Sequence, residues 1–433
     1  MRSHKMVSVL YSFVYFLFFL MVCAMAPYSP KFRRLLVSRR GLCARIRKWK
    51  QTLVSAPDTL YWFHVSSSGE FEQCLPIMDA IRASTPTLPI FLSYFSPSAE
   101  KAVRFELDRR KAAGLAPGWD HSDYSPFDFS IHVRSYLNAL RPSHFICIHR
   151  EIWPGILLEC KRRNIPRYLF ATYFPKERHF FWLRRWLEQY DFIGTTTVET
   201  TELLKSILSK PVIHTLGDPR VDRVMTRKRM SVTGSWEHYF SEQNVLVLAS
   251  LWNEDFEEIR EALETWQYEA PRWRLALIPH EPCSQFVKKL LKWGEQTGLR
   301  FRLWSSWVKN PDTSSHLVVD CVGQLAELYR VASIVFVGGS FRARVHNVLE
   351  PAAYQKAIVT GPFIQNSLEA IEMHSKGMLI RTLNGQDFLS NLRTLSSDTA
   401  NLQEQSLKAA SFLAERSGAS IRYADIIRYG LPL

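Results

Sequence analysis

Acidic residues are missing from the first 57 positions: the first is Asp58, whereas Arg2, Lys5, Lys31, Arg33, Arg34, Arg39, Arg40, Arg45, Arg47, Lys48 and Lys50 are all basic. Those eleven account for most of the formal charge of +14 and leave +3 for the rest of the chain. This argues against a nucleic-acid partner, which requires a basic field across a domain face rather than at one end. Cysteine is scarce, with seven residues (23, 43, 74, 147, 160, 283 and 321) and no Cys-x-x-Cys spacing, so neither a zinc site nor a disulfide framework is indicated. There is no Asp-x-Asp pair or metal-ligand cluster, and neither a metal nor a cofactor is expected. Internal repeats and low-complexity tracts are also missing.

A long apolar run is present at Met6 to Ala26, 21 uncharged residues that suffice to cross about 30 Å of hydrocarbon as a helix. It reads as a single-pass anchor, or as a signal peptide cleaved after Ala24-Met25-Ala26. The dense basic flank opposes export, keeps the remainder of the chain cytoplasmic, and suits anionic headgroups.

From about residue 58 short apolar runs alternate with longer amphipathic stretches, the pattern of α/β units on parallel sheets. Strands are expected at Leu60–Val65, Pro89–Tyr94, His144–Ile148, Tyr168–Ala171, Phe192–Thr195 and Val212–Leu216. A second series runs through Val245–Ala249, Arg274–Ile278, Leu317–Val319, Ile334–Val337 and Ala357–Thr360. The Arg-rich segment Gly217–Ser235 is the best boundary between them. The expected organisation is an anchor with its flank (1–57), a first domain (58–216), a second domain (217–405) and a C-terminal helix (406–433) within a mostly helical stretch, Leu402–Tyr429.

Three segments carry chemistry. Ser66-Ser67-Ser68-Gly69-Glu70 follows a strand and opens a helical pattern, which places backbone amides and a carboxylate at the carboxyl edge of a sheet. Glu70 there is a general base or an ordinary first-turn acid that complements the helix dipole. Glu151-Ile152-Trp153-Pro154 follows another strand, with Glu151 at the same edge or simply near a helix start. Gly338-Gly339-Ser340 ends a strand and His346-Asn347-Val348-Leu349-Glu350-Pro351 begins the next helix, where Gly permits close approach, a helix N-terminus attracts phosphate and Glu350 can accept from ribose hydroxyls. A basic and aromatic stretch from Arg162 to Trp186 is a membrane-facing patch or a solvated helix face.

In these segments the chain resembles the lipid A Kdo transferases, two-domain glycosyltransferases of the GT-B type. The resemblance runs through SSSGEFEQ (66–73), FSPS (95–98), EIWP (151–154), GDPRVDRV (217–224), PHE (279–281), VGQL (322–325), and GGS with HNVLEPAA (338–353). It implies two Rossmann-like domains facing a cleft and an inverting transfer of Kdo from CMP-Kdo to a lipid A precursor at the inner membrane, with Glu70 as base. It places Ser68, Gly69 and Glu151 with the acceptor. Pro279, His280, Val322, Gly323, Gln324, Gly338, Gly339, Ser340, Asn347 and Glu350 fall with the nucleotide, and Arg220 or His280 supplies a cation for the departing CMP. The chain departs from the family pattern at His149, where an acid is usual, at Pro279-His280-Glu281 for Pro-Arg-His, at Val322-Gly323-Gln324 for Met-Gly-Glu, and at Arg344-Val345 for Gly-Gly. Two alternatives stand beside this: a GT-B transferase for a different nucleotide sugar, and a non-catalytic sugar-lipid binding protein.

Overall fold

The computed structural model describes residues 2–53, 59–175, 181–230, 234, 237–240 and 243–430. The chain divides into two compact units, Met1–Arg223 with Ser417–Leu433, and Val224–Arg416.

The first unit is built on β1 (Tyr61–Val65), β2 (Ile90–Tyr94), β3 (His121–Tyr124), β4 (His144–Ile148), β5 (Arg167–Thr172), β6 (Phe192–Thr195) and β7 (Val212–Thr215). They form one parallel sheet in the order β3-β2-β1-β4-β5-β6-β7. A parallel sheet is covered on both faces, so its inner strands read as unbroken apolar runs; β1, Tyr-Trp-Phe-His-Val, is buried at every position. One face packs Trp62, Phe91 and Phe145 against Trp49 and Leu157, and the other packs Phe63, Leu92 and Ile146 against Phe71 and Tyr423. The chain order reverses at β1, which lies between β2 and β4. In doubly wound sheets the crevice at the carboxyl ends of such strands takes the ligand.

Three helices precede the sheet: α1 (Arg2–Met25), α2 (Pro30–Val37) and α3 (Leu42–Lys50). The apolar run expected to cross a membrane falls in α1, but α1 lies along the first unit. Tyr11 Oη donates to Asp128 Oδ2 at 2.8 Å, Phe19 meets the rings of Phe127 and Phe129 at 5.0 and 5.3 Å, and Val22 is buried with Leu35 and Phe127. Among the described residues no helix is long and apolar enough to cross a membrane. The expected free-standing anchor is therefore replaced by a helix whose inner face is used in packing. Its outer face, with Phe13, Val14, Phe16, Leu17, Leu20 and Met21, is exposed.

The basic flank is also partly consumed. Arg45 forms a bidentate pair with Asp123, Arg34 bonds Glu100 at 2.7 Å, and Arg39 donates to the carbonyls of Leu35, Phe95 and Ser125. Arg33, Arg40, Arg47 and Lys48 stay exposed. In the basic and aromatic stretch, Arg162 and Arg163 pair with Glu159 and Arg167 with Asp191, while Lys176, Arg178 and Phe180 lie outside the described residues. The expected boundary at 57–58 also lies outside them.

The second unit repeats the plan with β8 (Val245–Leu251), β9 (Arg274–Pro279), β10 (Phe301–Leu303), β11 (His316–Val318), β12 (Ile334–Val337), β13 (Ala357–Thr360) and β14 (Leu379–Arg381). The parallel order is β10-β11-β9-β8-β12-β13-β14, and its core gathers Leu248, Phe256, Trp266 and Phe336. The expected C-terminal helical stretch is two helices, Thr399–Arg416 and Ala419–Tyr429, broken at Gly418 with φ +85°. The second of them returns to the first unit, where Asp222 accepts from the amides of Gly418 and Ser420 at 2.6 and 2.7 Å and Tyr423 is fully buried.

Candidate active site

In the first unit the helix α4 (Ser68–Ser84) opens directly after β1, with Ser67 as its N-cap. Glu70, its third residue, closes a capping box: the Ser67 side chain accepts from the Glu70 amide at 3.4 Å, and Glu70 Oε2 accepts from the amides of Ser66 and Ser67 at 2.5 and 3.3 Å. The first-turn role is therefore real, and it fixes the carboxyl at the carboxyl end of β1. Ser68 and Gly69 are exposed at the turn.

The neighbouring strand β4 brings the second carboxyl. Glu151 Oε2 accepts from Ser66 Oγ at 2.5 Å and from Trp153 Nε1 at 2.6 Å, and Tyr190 Oη donates to the Glu151 carbonyl at 2.7 Å. Ser66 thus bridges the two acids, with its amide on Glu70 and its hydroxyl on Glu151. Burial, then the nearby Glu151 charge, pushes the Glu70 carboxyl well above the usual carboxylate range, and burial raises Glu151 as well. Each carboxyl is therefore harder to ionise than an exposed one.

Beside them His149 sits in the left-handed region at φ +66°. Burial, then Arg150, pushes its imidazole down to about 4. Arg150 Nε donates to His149 Nε2 at 3.0 Å, so the ring proton is on Nδ1, facing the Ala171 carbonyl at 3.5 Å. His149 is thus a neutral donor. Arg220 pairs with Asp218 through Nε at 2.9 Å and Nη2 at 2.5 Å.

The second unit assembles its loops at the carboxyl ends of β8, β9 and β12. Asp255, fully buried, accepts from the amides of Trp252 (3.0 Å), Gly339 (2.6 Å) and Phe341 (3.0 Å), so one carboxylate ties the β8 loop to the glycine loop. Both glycines are required. A Cβ at Gly338 would stand 2.4 Å from the Ser250 carbonyl oxygen, and Gly339 has φ +85° with the Arg344 carbonyl 2.4 Å from any Cβ.

Several expectations are corrected here. No helix opens at His346: the chain turns after Ser340, and the helix is a five-residue segment, Leu349–Ala353, too short to serve as a phosphate site. Ser340 is fully buried and spends its hydroxyl on Val337 O and the Gly361 amide. Asn347 Oδ1 accepts from the Leu349 amide at 3.0 Å, and Glu350 Oε1 pairs with Arg227 at 2.8 Å. Pro279 is buried at the end of β9, and His280 is exposed beyond it. Val322 and Gly323 are exposed and Gln324 half-buried in a turn before the helix Leu325–Val331; among the described residues no hydrogen bond joins them to the His280 or glycine loops.

Trp252 and Asp255 were not among the residues expected to serve the site, and Ser66 and His346 entered only as members of their motifs. An acid three residues after a helix N-cap, the spacing shared by Ser67/Glu70 and Trp252/Asp255, was the available signal.

Residues 38–223 match the family model described as 3-deoxy-D-manno-octulosonic-acid transferase (kdotransferase). The chain is 23% identical over 400 residues to the 3-deoxy-D-manno-octulosonic acid transferase of Chlamydia trachomatis serovar D, covering 88% of this chain and 90% of that one. It is 26% identical over 339 residues to the protein of that name from Aquifex aeolicus, covering 77% and 85%. Among solved structures it is similar to a glycosyltransferase from Rickettsia africae (9% identity, 86% of this chain and 97% of that one, TM-score 0.57). It is also similar to the UDP-GlcNAc 2-epimerase of Neisseria meningitidis (12%, 86% and 98%, TM-score 0.58). These likenesses establish an α/β fold of two parallel sheets with GT-B-like neighbours.

Proposed function

We infer that this chain is a glycosyltransferase of the Kdo transferase family, moving Kdo from CMP-Kdo to a lipid A precursor in lipopolysaccharide synthesis. The observation that carries the reading is that the unit matched by the family model holds Glu70 and Glu151, bridged by Ser66, at its topological switch point.

Glu70 is the base. The acceptor hydroxyl loses its proton to Glu70 while its oxygen attacks the anomeric carbon of Kdo, and CMP departs with the electron pair of the broken C–O bond, which inverts the configuration. Glu70 acts as the carboxylate it becomes above its raised pKa, and the exposed Ser68-Gly69 turn receives the acceptor. In the second unit Asp255 and the glycine pair set the loop that receives the nucleotide. Asn347, exposed, and Glu350, buried, serve that loop, and Val322 to Gln324 and Arg220 belong to the reading by family pattern alone.

A lipid acceptor suits the first unit. The exposed apolar face of α1 and the exposed cations Arg33, Arg40, Arg47 and Lys48 have the composition of an interfacial helix with a basic rim, lying in the headgroup region of an anionic, cytoplasmic-facing bilayer surface. An apolar cavity of about 470 Å³, lined by Phe19, Leu36, Leu42, Phe127 and Tyr136, lies under it.

The test is transfer from CMP-Kdo to a tetraacyl lipid A precursor by the purified chain and its Glu70→Gln variant. Product from the unaltered protein alone is expected; product from neither moves the reading to another nucleotide sugar.

A further inference from the structure

At the carboxyl ends of β8, β9 and β12 three rings are layered. Trp252 Nε1 donates to His346 Nε2 at 2.7 Å, and the two ring planes are 2° apart with centroids 6.1 Å apart, so indole and imidazole lie side by side in one plane. His280 stacks on both, at 4.5 Å from Trp252 (20°) and 4.3 Å from His346 (22°). Rings this close to two coplanar neighbours lie above their plane, so His280 forms a second layer, and His280 is exposed.

The layers are uncharged. Trp252 is a donor only, so His346 Nε2 is unprotonated and the ring proton is on Nδ1. Burial and the adjacent His280 and Arg344 hold His346 down to about 4, and burial lowers His280 as well. Around this neutral surface stand cations. The Arg342 guanidinium carbon lies 4.1 Å from the Trp252 ring centroid, its Nε is 3.4 Å from Glu254 Oε1, and Arg344 is close enough to influence both imidazoles. Both arginines are exposed. An exposed neutral ring with two exposed cations near it, one of them over the Trp252 ring, matches a ligand with a flat heterocycle and an anion a few ångströms away.

We propose that His280, supported by the Trp252–His346 layer, is the stacking platform for the base of a nucleoside monophosphate, with Arg342 and Arg344 receiving its phosphate. The inference rests on the proposed donor class. It assigns base recognition to residues on three loops that no short motif joins: Trp252 after β8, His280 after β9 and His346 after the glycine turn. Trp252 and His346 are positioning residues that hold His280 flat, whereas His280 touches the base.

The experiment is calorimetric titration of the full chain with CMP and, as the probe without a base, ribose 5-phosphate. His280→Ala should weaken CMP by roughly 5- to 150-fold, the range base stacking on an aromatic side chain covers, and leave ribose 5-phosphate unchanged. Arg342→Gln should weaken both. Trp252→Phe, which keeps a ring and removes the N–H to His346, should fall between the unaltered protein and His280→Ala. CMP affinity within twofold of the unaltered protein in His280→Ala, or equal loss for both ligands, overturns the platform. Binding of UMP or AMP in place of CMP, with the same dependence on His280, keeps the platform and overturns the donor reading; binding of no nucleoside monophosphate overturns the platform itself.

Discussion

A carboxyl in the first turn of a helix normally complements the dipole and nothing more, but Glu70 is also linked to Glu151 through Ser66. The two roles separate by substitution, because a glutamine at the third helical position preserves a capping box while it cannot accept a proton. Glu70→Gln should therefore lose on the order of 10²–10⁴ in kcat with an unchanged melting temperature; an equal fall in both would make Glu70 a cap only. The pH profile is set by the raised Glu70 pKa. A base must be ionised, so the rate climbs as pH rises through that raised value. Removing the neighbouring charge with Glu151→Gln lowers the Glu70 pKa, and the acidic limb of the kcat profile should move to lower pH. A limb that stays in place would show that Glu151 does not act through Glu70.

At the scale of elements, the loops after β8 and β12 are held by a single acid. Asp255→Ala leaves the amides of Trp252, Gly339 and Phe341 without their acceptor, at a cost on the order of 1–3 kcal/mol for each that stays buried. The melting temperature should fall by about 2–4 °C per kcal/mol in a unit of this size. Gly338→Ala drives a Cβ against the Ser250 carbonyl and should destabilise by about 1–3 kcal/mol, as overpacking does. Thermal unfolding of the two variants checks both. At the same scale α1 divides its apolar residues between an inner face on Phe127 and Phe129 and an outer face that is exposed. Replacing Phe16, Leu17 and Leu20 together by Ser should cut partition onto anionic vesicles at least about tenfold, since each fully buried side chain is worth roughly 1.5–3 kcal/mol. Co-sedimentation measures it; unchanged partition would place the membrane contact elsewhere.

For the whole molecule, two doubly wound sheets each present loops at their switch strands, and the chain returns to its first unit through Ala419–Tyr429. The inner strands were legible because a parallel sheet buries both faces and writes itself as unbroken apolar runs. The strands without a legible pattern, β3, β10 and β14, are sheet edges of three or four residues, His-Ser-Asp-Tyr, Phe-Arg-Leu and Leu-Ile-Arg, whose polar positions hide it. Glu70 and Glu151 could be singled out because each follows a strand within a short motif, and the family resemblance read from those motifs agrees with the family model and the relatives. The sequence by itself determined the α/β class, the inner strands and the family resemblance, since these depend on local periodicity and on residues adjacent in the chain. Only the tertiary structure decided that Ser66 joins the two acids, that α1 lies against its unit, that Ser340 faces inward, and that Trp252, His280 and His346 share one stack. The physical reason is that a hydrogen bond or a ring contact acts over a few ångströms, and the partners in each case come from loops many residues apart.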